Sequence, residues 1–405
     1  MEKTKVMIRM IMIVAGIVVL SACSAGENGE KGSGQSGQKK ESSADLSQFA
    51  DAKGGTWQDS WTEETASGAN VRVNVQAETV LPDLKQMSTV EVRPYELNEE
   101  NRKKLADTLF DSGWEGTENK YHGTRDGIEY EMSIDTFDDR YDGRGNTIDF
   151  QVKNEEDIYP ERVKGKGNYY YNPVDEEKTS ENECKMSKEE ADKTARALLQ
   201  KAGFSDLIQR RAQVVQWEEF ETDENGEPIN NGEPGERIYD GWCFTYGQGV
   251  DGVAFYDFVT SGEPVHGDGE EVVFDGYSQW CEIRVYITDR GVIEVDFGCL
   301  LEIMSVTPGV KLLPLDEIKK IIKSEMKQLA EFNITKRKKY TMKFEFLELI
   351  YYRVTNPENE NQFTYIPAWR LRDHMGYEPP FVVNAMDGSV VDDWDETWKI
   401  IKVEE

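Results

Sequence analysis

The chain has 405 residues, of which 47 are Lys or Arg and 78 are Asp or Glu, for a formal net charge of −31. A protein this acidic is repelled by nucleic acid, by anionic lipid headgroups and by anionic wall polymers. That excludes nucleic acid as a partner and leaves cations, neutral glycans and basic protein surfaces.

Lys3, Lys5 and Arg9 open the chain, and an uncharged apolar run follows from Met10 to Leu20. At the helical rise that run covers about 16 Å, roughly half the hydrocarbon thickness of a bilayer, which is too short to span it. A basic start, a short apolar stretch and small residues at its end describe a secretory signal peptide over residues 1–22. Leu20-Ser21-Ala22-Cys23 resembles the lipobox of bacterial lipoproteins. The resemblance implies cleavage between Ala22 and Cys23 and a diacylglyceryl group on the Cys23 thiol, and two acyl chains hold a protein to a membrane stably. The expected location is the extracytoplasmic face of the cell membrane.

Residues 24–45 are almost wholly Gly, Ser, Gln, Lys and Glu, so residues 23–55 read as a flexible tether behind the anchor. Without residues 1–22 the charge becomes −33, because that segment holds three basic residues and one acidic residue. Three helices are expected from periodicity, over residues 98–112, from Ser187 to a stop at Gly203, and over residues 315–330. The second carries the capping-box pair Ser187 and Glu190. Strand-like segments fill the intervals, so the expected class is α+β, with two or three modules of a helix packed on antiparallel sheet. The expected boundaries are 56–178, 179–310 and 311–405.

The sequence from Cys281 to Cys299 reads as two strands joined at Asp289-Arg290-Gly291. The register that completes an apolar face opposes residues whose numbers sum to 580. It sets Arg284 against Asp296 and makes Cys281 and Cys299 direct cross-strand neighbours. They form either two buried thiols or a disulfide, which an exported protein permits.

In the last third, Pro367-Ala368-Trp369 and Asn384-Ala385-Met386-Asp387-Gly388 resemble the PepSY-type module of Gram-positive envelope proteins, over residues 312–392. The same stretch is similar to the membrane-anchored YycH/YycI regulators, which restrain a sensor kinase, and the whole chain resembles clostridial-type lipoproteins. The resemblance implies a PepSY-like last module and a partner in the membrane or envelope. It departs from those regulators in carrying a lipobox instead of a membrane helix.

No catalytic set emerges from spacing. Ser324 and Lys327 have S-x-x-K spacing but sit inside the third helix without companion motifs. His122, His266 and His374 lie on separate segments, and HExxH is absent. Asp138 to Asp149 approaches an EF-hand loop, yet Arg140 occupies a ligand position and strands flank it. Trp57, Trp61, Trp394 and Trp398 lie outside apolar stripes, either stacking on sugars or filling a groove. No catalytic residue, metal ligand or cofactor is therefore assigned. The expected function is a non-enzymatic, lipid-anchored protein that binds or regulates an envelope protein. The alternatives are a glycan- or solute-binding lipoprotein and a hydrolase using a carboxylate pair. Cross-strand bridges are strained, so Cys281 and Cys299 are expected as thiols: intact mass after alkylation without reductant should show both modified, and a disulfide would leave both unmodified.

Overall fold

The computed structural model describes residues 42–66, 68–136, 146–154, 157–158, 168–173, 182–205, 207–220, 236–256, 265–267, 270–274, 282–298, 300–332, 339–356, 359–373, 381–391 and 398–401. A 3-10 helix, Leu46–Ala52, leads into β1 (Thr56–Glu64), β2 (Asn70–Val80) and β3 (Ser88–Pro94). Helix α1 (Glu99–Leu109) follows, then β4 (Ser112–Gly116), β5 (Lys120–Arg125), β6 (Ile128–Thr136), β7 (Asn146–Val152) and β8 (Asn168–Pro173). Helix α2 (Lys188–Ala202) precedes β9 (Leu207–Phe220), β10 (Glu236–Val250), β11 (Val253–Tyr256), β12 (Val265–Gly267) and β13 (Glu270–Phe274). The chain continues through β14 (Glu282–Thr288), β15 (Gly291–Phe297), β16 (Leu301–Pro308) and helix α3 (Leu315–Phe332). It then runs through β17 (Lys339–Asn356), β18 (Asn359–Arg372), β19 (Phe381–Asn384) and β20 (Trp398–Ile401).

Seventeen of these strands belong to one hydrogen-bonded network, and β12, β13 and β20 form a separate small sheet. Among the described residues, twenty strands stand against three α-helices and one 3-10 helix. This corrects the expected α+β class of helix-on-sheet modules: the protein is β-rich and built on a large mixed sheet. The physical reason lies in the pairing. β2 runs parallel to β17, β3 pairs with β16 and β18, and the 15-residue β10 pairs with β9, β11 and β14. Each strand's local pattern says which face it buries. It does not say which strand lies beside it.

Two apolar clusters fill the structure. In one, Leu105, Leu109, Ala191, Leu198 and Leu199 of α1 and α2 pack on Phe150, Phe244, Val285 and Val295 of the sheet. In the other, Ile318, Ile322, Met326 and Leu329 of α3 pack with Val73, Val75, Phe344, Leu347 and Trp369. Phe49, in the stretch expected as tether, is 2% exposed and meets Trp369 edge-on, with ring centroids 5.4 Å apart. The structure thus places residues 46–52 against the second core.

Local chemistry explains the elements that position the site. Ser187 caps α2 by accepting from the Glu190 amide, Glu190 answers the Ser187 amide, and Gly203 ends the helix with φ +105°. The β14–β15 hairpin holds the expected register from Ile283↔Phe297 to Tyr286↔Glu294, then shifts by one to Ile287↔Val292. Gly291, at φ +105°, takes the left-handed position after the turn. Among the described residues β16 pairs only with β3. It leaves Ile303, Met304 and Val306 exposed, while a register shift between Ile303 and Ser305 and the terminal Pro308 blunt that edge.

The turn after β19 is closed by Gly388, at φ +80°, whose amide donates to the Asn384 carbonyl at 2.9 Å. A Cβ there would lie 2.5 Å from Ile321 Cδ1 of α3. Gly388→Ala should therefore cost about 1–3 kcal/mol through both backbone strain and overpacking, read as a lowered urea midpoint with an unchanged slope.

Candidate functional site

Among the described residues, an open groove of about 1040 Å³ lies between α2 and two hairpin turns. Its floor is α2 itself. The helix buries Ala191, Ala195, Leu198, Leu199 and Ala202, and the flank beside that stripe presents Lys193, Thr194, Ala197 and Lys201 to the groove. One wall is the segment entering α2, with Lys185 and Met186. That wall is pinned to β10: Trp242 Nε1 donates to the Met186 carbonyl at 3.0 Å, and the Glu183 amide donates to Asp240 Oδ2 at 2.6 Å.

The other walls are turns. Arg125 ends β5 and is held by donating from Nη1 to the Leu109 carbonyl at 3.0 Å, and Asp289 and Arg290 come from the β14–β15 turn. Five cations, Arg125, Lys185, Lys193, Lys201 and Arg290, thus face the groove against two carboxylates, Glu190 and Asp289. In a chain of net charge −31 this is a local reversal of sign. Glu190 is engaged by the Ser187 amide, and among the described residues no carboxylate pairs with Lys185, Lys193 or Lys201. The floor of aliphatic side chains and the cationic rim suit a ligand with separated negative charges and apolar groups between them.

A second polar cluster lies on the sheet. In the register, Asp296 of β15 stands between Arg284 of β14 and Asp149 of β7, and Ser133 of β6 lies beyond Asp149. Burial first, and the Asp149 charge second, raise the Asp296 carboxyl to about 6, against Arg284 and a hydrogen bond with the Glu294 side chain, which lower it. Cys243, on the neighbouring strand, has its thiol pushed up to about 12 by burial. This row can hold a proton near neutrality. A buried thiol so rarely ionised is a poor nucleophile.

The residues singled out from sequence scatter. Ala22, Cys23, Cys281, Cys299, His374 and Trp394 lie outside the described residues, as does Asp138 of the EF-hand-like stretch. The strands β6 and β7 flank that stretch, with Asp149 in mid-strand. His122 lies on β5, where its Nδ1 is 3.4 Å from Glu131 Oε2, and His266 lies on β12. Ser324 and Lys327 are exposed on α3, with the Ser324 hydroxyl donating to the Ile321 carbonyl at 3.0 Å. Trp57 and Trp61 are half-buried on β1, with Lys319 and Lys323 over their rings at 5.6 and 5.2 Å. Trp398 lies on β20.

The groove was missed because its cations come from three separate stretches. One signal was visible: residues 185–201 carry five basic residues against three acidic ones, inverting the balance of the whole chain.

No protein-family model matches the chain, and no curated protein matches it. Among solved structures it is similar to an uncharacterized protein from Eubacterium rectale, at 12% identity and a TM-score of 0.41, over 85% of this chain and 98% of that one.

Asp296 gives the cluster a measurable signature. A carboxyl raised in the folded state keeps its proton longer than in the unfolded state, so the contribution of Asp296 to stability is fullest below about pH 4 and is lost as pH rises to about 6. Asp296→Asn removes that decline. The variant should gain on the order of 2 kcal/mol over the parent near pH 7.5 and lose that advantage near pH 4, as read by urea denaturation at the two pH values.

Proposed function

We propose that this chain is a lipid-anchored extracytoplasmic protein of the cell envelope that binds or regulates a membrane or envelope protein and performs no reaction of its own. One observation carries the reading: the uncharged run from Met10 to Leu20 stops at Leu20-Ser21-Ala22-Cys23. A basic start, an apolar run of half a bilayer's thickness and small residues before a cysteine are the features that export and lipid attachment require. The likeness of residues 312–392 to the PepSY-type module points the same way, toward an envelope partner.

The groove along α2 supports binding as the mode of action. Its cations are mostly flexible lysines on an open surface, an arrangement suited to docking a charged chain. The glycan- or solute-binding alternative draws on the aromatic content and the acidic surface, but the ammonium groups of Lys319 and Lys323 occupy one face of Trp57 and of Trp61. The hydrolase alternative draws on the Asp149 and Asp296 pair, in which burial and the neighbouring Asp149 charge raise the Asp296 carboxyl to about 6.

Crosslinking in intact cells tests the reading, with Cys23→Ala as the mislocalised control. The expected outcome is a product whose mass begins at a diacylated Cys23, and reproducible capture of one membrane or wall-assembly protein that the control loses. An unmodified Cys23, or capture identical in the two strains, would overturn it.

A further inference from the structure

We infer that the groove between α2 and the β5–β6 and β14–β15 turns is a docking site for a short, extended, acidic peptide segment. The inference deepens the binding reading above by naming the chemistry of the partner. The local charge decides the sign of the ligand: five cations face two carboxylates, and Lys185, Lys193 and Lys201 have no carboxylate partner among the described residues of a chain that holds 78 acidic side chains. Three ammonium groups without a carboxylate partner among the described residues leave an extended positive field that an anionic segment can fill.

Length decides its shape. Lys193 and Lys201 are eight residues apart on one helix, which places their Cα atoms about 12 Å apart along the axis. A single phosphate or carboxylate is much narrower than that. An extended peptide covers the distance in about four residues, so side chains at positions i and i+4, which share a face, reach both ammonium groups. Ala197 and Leu198 of the floor, with Met186 of the wall, offer apolar contact to the residue between them. Reach is limited at both ends. Outside the groove the surface is that of a strongly acidic protein, and with a screening length of about 8 Å a long polyanion would meet repulsion where a short acidic segment would not.

The test uses the purified full-length chain in detergent and a rhodamine-labelled peptide, Ala-Glu-Leu-Ala-Leu-Glu-Ala, followed by fluorescence anisotropy. The acidic peptide should bind at low salt and weaken at high salt, and its Gln-for-Glu counterpart should not bind. The double variant Lys193→Glu, Lys201→Glu should bind about tenfold more weakly or not at all. Lys343→Glu, an exposed charge reversal on β17, should leave affinity unchanged. Thermal melts confirm that the variants are folded, and Lys193→Gln with Lys201→Gln gives the intermediate weakening that a charge effect requires.

Equal binding of the acidic and neutral peptides, or no effect of the double variant, would overturn the assignment, as would no binding at low salt. Displacement of the peptide by an equal concentration of inorganic phosphate, or tighter binding of polyphosphate, would assign the groove to phosphate chains and overturn the peptide reading. The assay needs neither anchor nor membrane. Failed capture in cells therefore leaves it standing, and failed peptide binding leaves the anchored reading standing.

Discussion

A buried strand must find partners for every amide and carbonyl along its length, and β17, with 18 residues, sets that demand for the whole molecule. On one side β18 answers it from Phe346 to Asn356. On the other, β2 covers Lys339 to Glu348 and β11 takes over at Tyr351 and Tyr352. Strands from the start, the middle and the end of the chain are thereby locked into one network, and the helices are draped on what results.

The register of that central pair is fixed by charge as well as by shape. Glu348 lies in mid-strand, almost fully buried, directly opposite Arg370. Burial alone would raise its carboxyl, yet hydrogen bonds and charge from Arg372 and Arg370 hold it below the usual carboxylate range. Arg370 lies 3.6 Å from the centroid of the Tyr256 ring, and Arg372 lies 4.2 Å from that of Phe346. A slip of one residue would strand a carboxylate and two guanidinium groups away from their partners, at a cost of several kcal/mol.

What the sequence made legible was local. The capping box of Ser187 and Glu190, the stop at Gly203 and the stripe of Ala191, Ala195, Leu198 and Leu199 are written within 17 residues, and α2 forms where they say. Arg284 opposite Asp296 and the alternation from Ile283 to Phe297 likewise stand within one hairpin, and only the pairs nearest the turn shift. The architecture was illegible for the converse reason. Val71, Val73 and Val75 announce a strand with a buried face, but nothing in them names Tyr340, Met342 and Phe344 as neighbours. The groove fails in the same way, since Arg125, Lys193 and Arg290 become a set only when β5, α2 and the β14–β15 turn meet.

The parallel pairing of β2 with β17 also governs when folding can finish. Val73 and Met342 are register partners separated by most of the chain. At a synthesis rate of about 5–20 residues per second, the apolar face of β2 waits roughly 13–54 seconds for its partner to exist. During that interval the early strands cannot collapse into a finished core, because closing so long a loop brings reward only once β17 arrives. A chain built this way stays open until it is nearly complete. That delay leaves the apolar face of β2 without its β17 neighbour for most of synthesis, a window in which an unpaired strand is exposed to aggregation.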